Sequence, residues 1–156
     1  MGWRRLNGDR IIVPIEIAVE EAILSETAAG HQLKICIGTD SQAYSKYIEY
    51  ATVIVFLRKE RGGFMFIEEE KTYQPISMRQ RLMTEVAKSI DIAYHLAEML
   101  IKHSINMEVH VDINTDPQFK SNVALNEAAG YIKGMGFEFK AKPEAFASTS
   151  CANKIV

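Results

Sequence analysis

Two rhythms of apolar residues run along this chain, one helical and one alternating, and together they predict most of its elements. After a polar start, MGWRRLNGDR, the stretch VPIEIAVEEAILSETAAG carries Ile15, Val19, Ala22 and Ile23 at helical spacing. Pro14 stands where a first helical turn tolerates it, and Gly30 closes the segment. LKICIGTD then predicts a strand, with Leu33, Ile35 and Ile37 on one face, Cys36 on the other, and a turn near Asp40. KYIEYATVIVFLRKERGGFMFIEEEKTYQ reads as two strands joined at Gly62 and Gly63, an antiparallel hairpin.

The clearest helix is SMRQRLMTEVAKSIDIAYHLAEMLIKHS. Ser77 and Gln80 make a capping-box pattern, and Leu82, Val86, Ile90, Ala93, Ala97 and Leu100 form one apolar stripe. Lys102 and His103 sit at the end whose dipole favours cations. NMEVHVDIN follows as a strand, and TDPQFKSNVALNEAAGYIKGMG as a helix with Asp116 as cap and Pro117 at its first position. FEFKAKP alternates as a strand should, and EAFASTSCANKIV predicts a short final helix in which the run Ser148 to Ser150 starts the helix rather than supplying a nucleophile. Tyr94, Phe137 and Phe139 are expected in the core. The sum is an α/β chain with a five-stranded mixed sheet flanked by helices, strands one to three antiparallel, and an extra helix at the N-terminus. A right-handed crossover through the long helix sets the fourth strand parallel to the first, and the fifth follows suit.

Composition narrows the class. At 156 residues, 47% hydrophobic and 24% charged, the chain is expected to be one soluble domain spanning residues 1–156. Its longest apolar run, ATVIVFL, is too short for a membrane span, and its first ten residues lack the apolar core of a signal peptide, so a cytoplasmic location is the default expectation. Cys36 and Cys151 fit neither a disulfide framework nor a zinc spacing and are expected as reduced thiols, Cys36 in the core. A net charge of -2 argues against a general nucleic-acid coat protein, although Lys133, Lys140, Lys142 and Lys154 gather in the last quarter of the chain.

Candidate chemistry lies at the strand ends. Ligands of open α/β sheets gather beyond the carboxyl ends of parallel strands, where Asp40 and Asp112 fall. Glu85, at the border of the long helix's apolar stripe, can reach the same end. Converging carboxylates repel one another unless a cation sits between them, and oxygen donors select Mg²⁺ or Mn²⁺. The chemistry natural to such a pair of ions is phosphodiester hydrolysis. GTDSQ lacks the glycines and lysine of a phosphate-cradling Walker loop. Ser41 and Gln42 are candidate contacts to a substrate backbone and Lys154 to a phosphate, although turn closure and simple exposure account for them equally. Helix capping accounts for Asp116. His110 shares the strand face of Asp112 and is expected to be packed and hydrogen-bonded.

IGTDSQ at 37–42, HVDI at 110–113 and KPEAFASTSCANK at 142–154 resemble the YkuK-type ribonuclease H-like family, over essentially the whole chain from the first helix onward. The resemblance implies an acid on strand one, one on the long helix, one at strand four and often a fourth on the last helix, together binding two divalent metals. Those positions fall on Asp40, Glu85, Asp112 and Asn153. Asn153 departs from the nuclease pattern because an amide ligates only as a neutral oxygen, which weakens the second metal position. The implied function is a divalent-metal-dependent nuclease or phosphodiester-processing protein acting on RNA, DNA or a hybrid. The alternative is a non-catalytic module of the same fold that binds nucleic acid or a protein.

Overall fold

The computed structural model describes residues 2–111, 123–141 and 144–156. Its elements in chain order are β1 (Trp3–Arg5), α1 (Ile15–Ala28), β2 (Leu33–Ala43), β3 (Ile48–Arg58), β4 (Gly62–Thr72), α2 (Met78–Lys102), β5 (Asn106–His110), α3 (Val123–Gly134), β6 (Glu138–Lys140) and a C-terminal π-helix (Ala147–Ala152). No described helix is long and apolar enough to cross a membrane.

The sheet has six strands in the order β1-β4-β3-β2-β5-β6. β2, β3 and β4 form an antiparallel meander, while β5 runs parallel to β2 and β6 parallel to β5. The directions expected for five strands therefore hold, and the count is corrected by β1, which pairs antiparallel with β4 in the register Trp3↔Glu68. Three residues are too few to show alternation, and two of them are arginines. Trp3 nonetheless joins the core, the Arg4 guanidinium forks onto Glu69 at 2.7 and 3.0 Å, and Arg5 lies over the Phe66 ring.

The two faces of the sheet are covered unequally. Ile35, Ile37, Ile54, Phe56 and Phe66 face α1, α2 and α3 in the main core. On the other face Cys36, Val53, Val55 and Ile67 form a second cluster with Ala147 and Ala152 of the C-terminal π-helix, and Phe146 and Ile155 pack against it. The helices thus lie on one side, and a short terminal segment covers the other.

Local signals explain the helices that carry this arrangement. At the start of α2 the Gln80 N–H donates to the Ser77 hydroxyl at 3.1 Å, and the Ser77 N–H donates to the Gln80 side chain at 3.0 Å. Val86, Ile90, Ala93, Ala97 and Leu100 of its stripe are buried. Gly30, just past α1, takes φ +85°, which suits a residue without Cβ. Tyr94, expected in the core, lies one position off the stripe, is half exposed and meets the Tyr131 ring of α3 instead. Phe137 is buried, and Phe139 packs against the core. Asp112, Asp116, Pro117 and Lys142 lie outside the described residues.

Candidate carboxylate site at the end of strand β2

The expected turn at Asp40 is not there, because β2 runs on to Ala43 in register with β3. The last parallel pair on its other side is Gly38↔His110, so Asp40 lies two residues beyond it. Among the described residues, the chain at this point is paired with β3 alone. The pleat then divides its side chains: Cys36, Gly38 and Asp40 point toward the terminal π-helix, and Thr39 and Ser41 toward α2.

Gly38 makes the first side work. A Cβ there would stand 2.4 Å from the Ser148 nitrogen and 2.5 Å from the Ala147 carbonyl carbon, so only glycine lets the π-helix lie directly on β2. That approach carries Asn153, which caps the π-helix, to Asp40, where its Nδ2 donates to Asp40 Oδ2 at 2.8 Å. The Ser41 N–H donates to Asp40 Oδ1 at 2.8 Å. Asp40 is only 7% exposed, and among the described residues no cationic side chain pairs with it.

On the α2 side the Ser41 hydroxyl donates to Glu85 Oε2, and both residues are buried. Thr39 continues the polar seam, bonding Ser89 at 2.7 Å and Thr52 at 3.1 Å. Burial pushes the Tyr50 phenol up, and the nearby Glu85 charge adds to that shift. Asp40 and Glu85 therefore flank β2 from opposite faces, with Ser41 joining them through its amide and its hydroxyl. Gln42 is exposed, with its amide near the Ala43 carbonyl at 3.5 Å, and Lys154 is exposed with no ion pair among the described residues.

A second polar group joins Cys36, expected as a core thiol, and His110, expected to be packed and hydrogen-bonded, with Glu108, which no sequence pattern singles out. One ligand-type atom from each of Cys36, Glu108 and His110 lies within 4.8 Å of the others, a spacing that a metal ion can use. Protonation argues for a different role. The Ala147 N–H donates to His110 Nδ1 at 3.0 Å, so the neutral ring carries its proton on Nε2 and gives it to Glu108 Oε1 at 2.9 Å. Burial also pushes the Cys36 thiol up to about 12, with the Glu108 charge assisting, so sulfur stays protonated. Burial alone would raise Glu108, but the bonds from His110 and Lys34 outweigh it and hold its carboxyl below the usual range. The group is a clamp in which His110 caps the start of the π-helix. Ser148 and Thr149 hydroxyls donate back to the Ala145 carbonyl at 3.0 and 2.9 Å, as Ser and Thr inside a helical turn do, so both are engaged in holding the segment.

Of the residues singled out from sequence, Asp40 is hydrogen-bonded to Asn153 on one face of β2, Glu85 is bonded by the Ser41 hydroxyl on the other, and Gln42 and Lys154 lie at the surface. The donors on the two faces are all oxygens: two carboxylates, a hydroxyl, and the amide oxygen left to Asn153 once its nitrogen serves Asp40. Each Asp40 oxygen keeps a lone pair beyond the hydrogen bond it accepts. Oxygen donors of this kind suit a hard divalent cation rather than a thiophilic one. The clue that sequence reading passed over was Gly38, an isolated glycine inside an apolar strand.

A six-stranded mixed sheet with this polar strand end belongs to a known class. The family described as ribonuclease H-like matches residues 18–156, and the chain belongs to that family. A relative in Bacillus subtilis (strain 168), the uncharacterized protein YkuK, is 29% identical over 134 residues, with 77% of each chain covered. Among solved structures, RNase H1 from the halophilic archaeon Halobacterium salinarum NRC-1 aligns over 73% of this chain and 89% of its own, at 11% identity and a TM-score of 0.38.

Proposed function

We propose that this protein is a divalent-metal-dependent nuclease or phosphodiester-processing protein, with its site at the end of β2. The observation that carries the reading is the Asp40 carboxylate, buried without a cationic side chain beside it among the described residues, each oxygen accepting one N–H and keeping a further lone pair. Two hydrogen bonds compensate part of the cost of burying that charge, and a cation on the remaining lone pairs would add to them.

In this reading Asp40 and Asn153 hold metal on one face of the strand end and Glu85 approaches it from the other, with Asp112 as the further acid that the family resemblance implies. The ions, when bound, supply activation of water and stabilisation of the departing oxygen, so no covalent protein nucleophile is needed. The chain's own residues fix the donors. The Ser41 amide and the Asn153 amide each hold one oxygen of Asp40, and the Ser41 hydroxyl holds Glu85. Gln42 and Lys154 are the exposed groups nearest in sequence to these donors, suited to a substrate's sugar-phosphate backbone.

The test is calorimetric titration of Mn²⁺ into the parent and an Asp40→Asn variant at neutral pH, followed by cleavage assays on single-stranded, duplex and hybrid substrates. Binding and cleavage by the parent, both lost in Asp40→Asn with unfolding unchanged, are the expected result. Cleavage retained by the variant would sink the assignment. Asn153 favours a second reading, a module that binds nucleic acid or a protein without turnover, because a neutral amide stands where the superfamily often has an acid. That reading predicts salt-sensitive binding with no metal-dependent product.

A further inference from the structure

Beside the carboxylate site, the same end of the sheet carries exposed aromatic rings that the core does not use. Tyr44 and Tyr47 flank the tight connection from β2 to β3, which is closed by the Tyr44 N–H donating to the Tyr47 carbonyl at 2.8 Å. Their rings stack with centroids 4.9 Å apart. Tyr73, just past the end of β4, comes within 5.8 Å of the Tyr47 ring, and the Lys71 ammonium lies 4.7 Å from that ring's centre. Tyr44 is tied down by its hydroxyl, which donates to the Val156 carbonyl at 2.9 Å. Rings that served only to shield a turn would be covered, yet Tyr44 is 44% exposed and Tyr73 70% exposed.

Position and charge indicate what these rings meet. Tyr44 follows Asp40 by four residues, about 13 Å of extended chain, the length of about four base steps at 3.4 Å each. On α2, Arg81 lies one turn before Glu85 on the same helical face. It is half buried, and among the described residues its buried Nε has no hydrogen-bond partner and its guanidinium no ion pair, which leaves its charge unneutralised beside the site. Lys71 is paired in register with Glu49, however, and the chain as a whole carries a net charge of -2. An aromatic platform with few surplus cations suits unpaired bases, which stack on rings, better than a duplex, which is held chiefly through its phosphates.

We propose that Tyr44, Tyr47 and Tyr73 form a stacking platform for the bases of a single-stranded nucleic acid whose backbone passes Arg81 toward the end of β2. The inference rests on the nuclease reading for its direction, but the platform can be tested apart from it. The probe is a fluorescein-labelled short oligothymidylate, titrated with the protein in EDTA and followed by anisotropy. It is compared with the same strand made abasic, and the parent is compared with Tyr73→Ala and Tyr73→Phe.

Expected are binding by the parent, about tenfold weaker binding by Tyr73→Ala, parental affinity for Tyr73→Phe, and a similar loss for the abasic strand. Equal affinity of parent and Tyr73→Ala, equal affinity for the abasic strand, or no binding by the parent would overturn the proposal. So would a Tyr73→Ala variant whose only change is weaker self-association in sedimentation, which would assign the rings to a protein contact. Metal-dependent cleavage unaffected by Tyr73→Ala would remove the platform and leave the nuclease reading intact. Tyr73-dependent binding without cleavage under any metal would do the reverse.

Discussion

Gly38 shows how one missing side chain sets the geometry of the site. Its hydrogen stands where a methyl group would press on the backbone of Ala147 and Ser148, and backbone cannot swing aside as a flexible side chain can. Gly38→Ala must therefore lift the π-helix off β2 or bend the strand, and either movement separates Asn153 from Asp40. Overpacking of this kind costs about 1–3 kcal/mol. The expected outcome is a lower urea midpoint by that amount, together with weaker Mn²⁺ binding even though no donor has been removed. An unchanged midpoint would mean that the terminal segment does not seat on β2 as described. The same residue also marks a limit of reading a chain alone. Asp40, Glu85 and Asn153 were legible as candidates, whereas the contact that gathers two of them depends on a distance between backbones remote in sequence. Ser41 is a similar case, since a strand residue next to an acid gives no hint that its hydroxyl turns to the opposite face and holds Glu85.

Elements differ in how openly they announce themselves. The helix α2 was readable almost to the residue because a long apolar stripe and a local capping pair repeat one message many times. Strand β1 was hidden, since its pairing with β4 is carried by Trp3 and by arginine contacts rather than by alternation. The length of β2 was underestimated for a different reason: the Gly, Asp and Ser of GTDS favour turns locally, and the eleven-pair ladder with β3 overrides that preference. Where the signal is local, its loss should be local too. Ser77→Ala removes the acceptor of the Gln80 N–H and should lower stability by about 1 kcal/mol, while Ser77→Gly should cost only a few tenths. Two turns further on, the Ser41–Glu85 bond anchors the helix to the sheet, so Mn²⁺ affinity should stay near the parent value. Thermal unfolding and calorimetry of the two variants check both statements, and an affinity that falls along with stability would show that Glu85 depends on the helix start.

Across the whole molecule, ion pairs join the helices to the sheet and to one another, and protonation of their carboxylates is expected to contribute to the loss of stability in acid. Glu20 on α1 meets His103 at the end of α2 at 2.6 Å, and Glu26 holds Arg58 of β3 and, at 2.8 Å, His31. The Arg58 guanidinium chiefly, with His31 assisting against the cost of burial, pulls the Glu26 carboxyl down to about 2 from an ordinary 4.5. A folded value below the unfolded one means that the native state holds fewer protons on this group as pH falls. Its contribution is then complete above about pH 5 and disappears between about pH 5 and pH 2. A shift of that size corresponds to about 3 kcal/mol for a fully shielded group. Partial exposure of both partners lowers this to about 1–2 kcal/mol. Glu26→Gln should accordingly lose about 1–2 kcal/mol at pH 7 in urea unfolding, and the gap to the parent should close as the pH is lowered toward 2. A gap that stays constant over that range would mean that glutamine disturbs packing at α1 rather than removing a charge. In that case the acid limit would have to come from other carboxyls held low, such as Glu108 in the clamp beneath the π-helix.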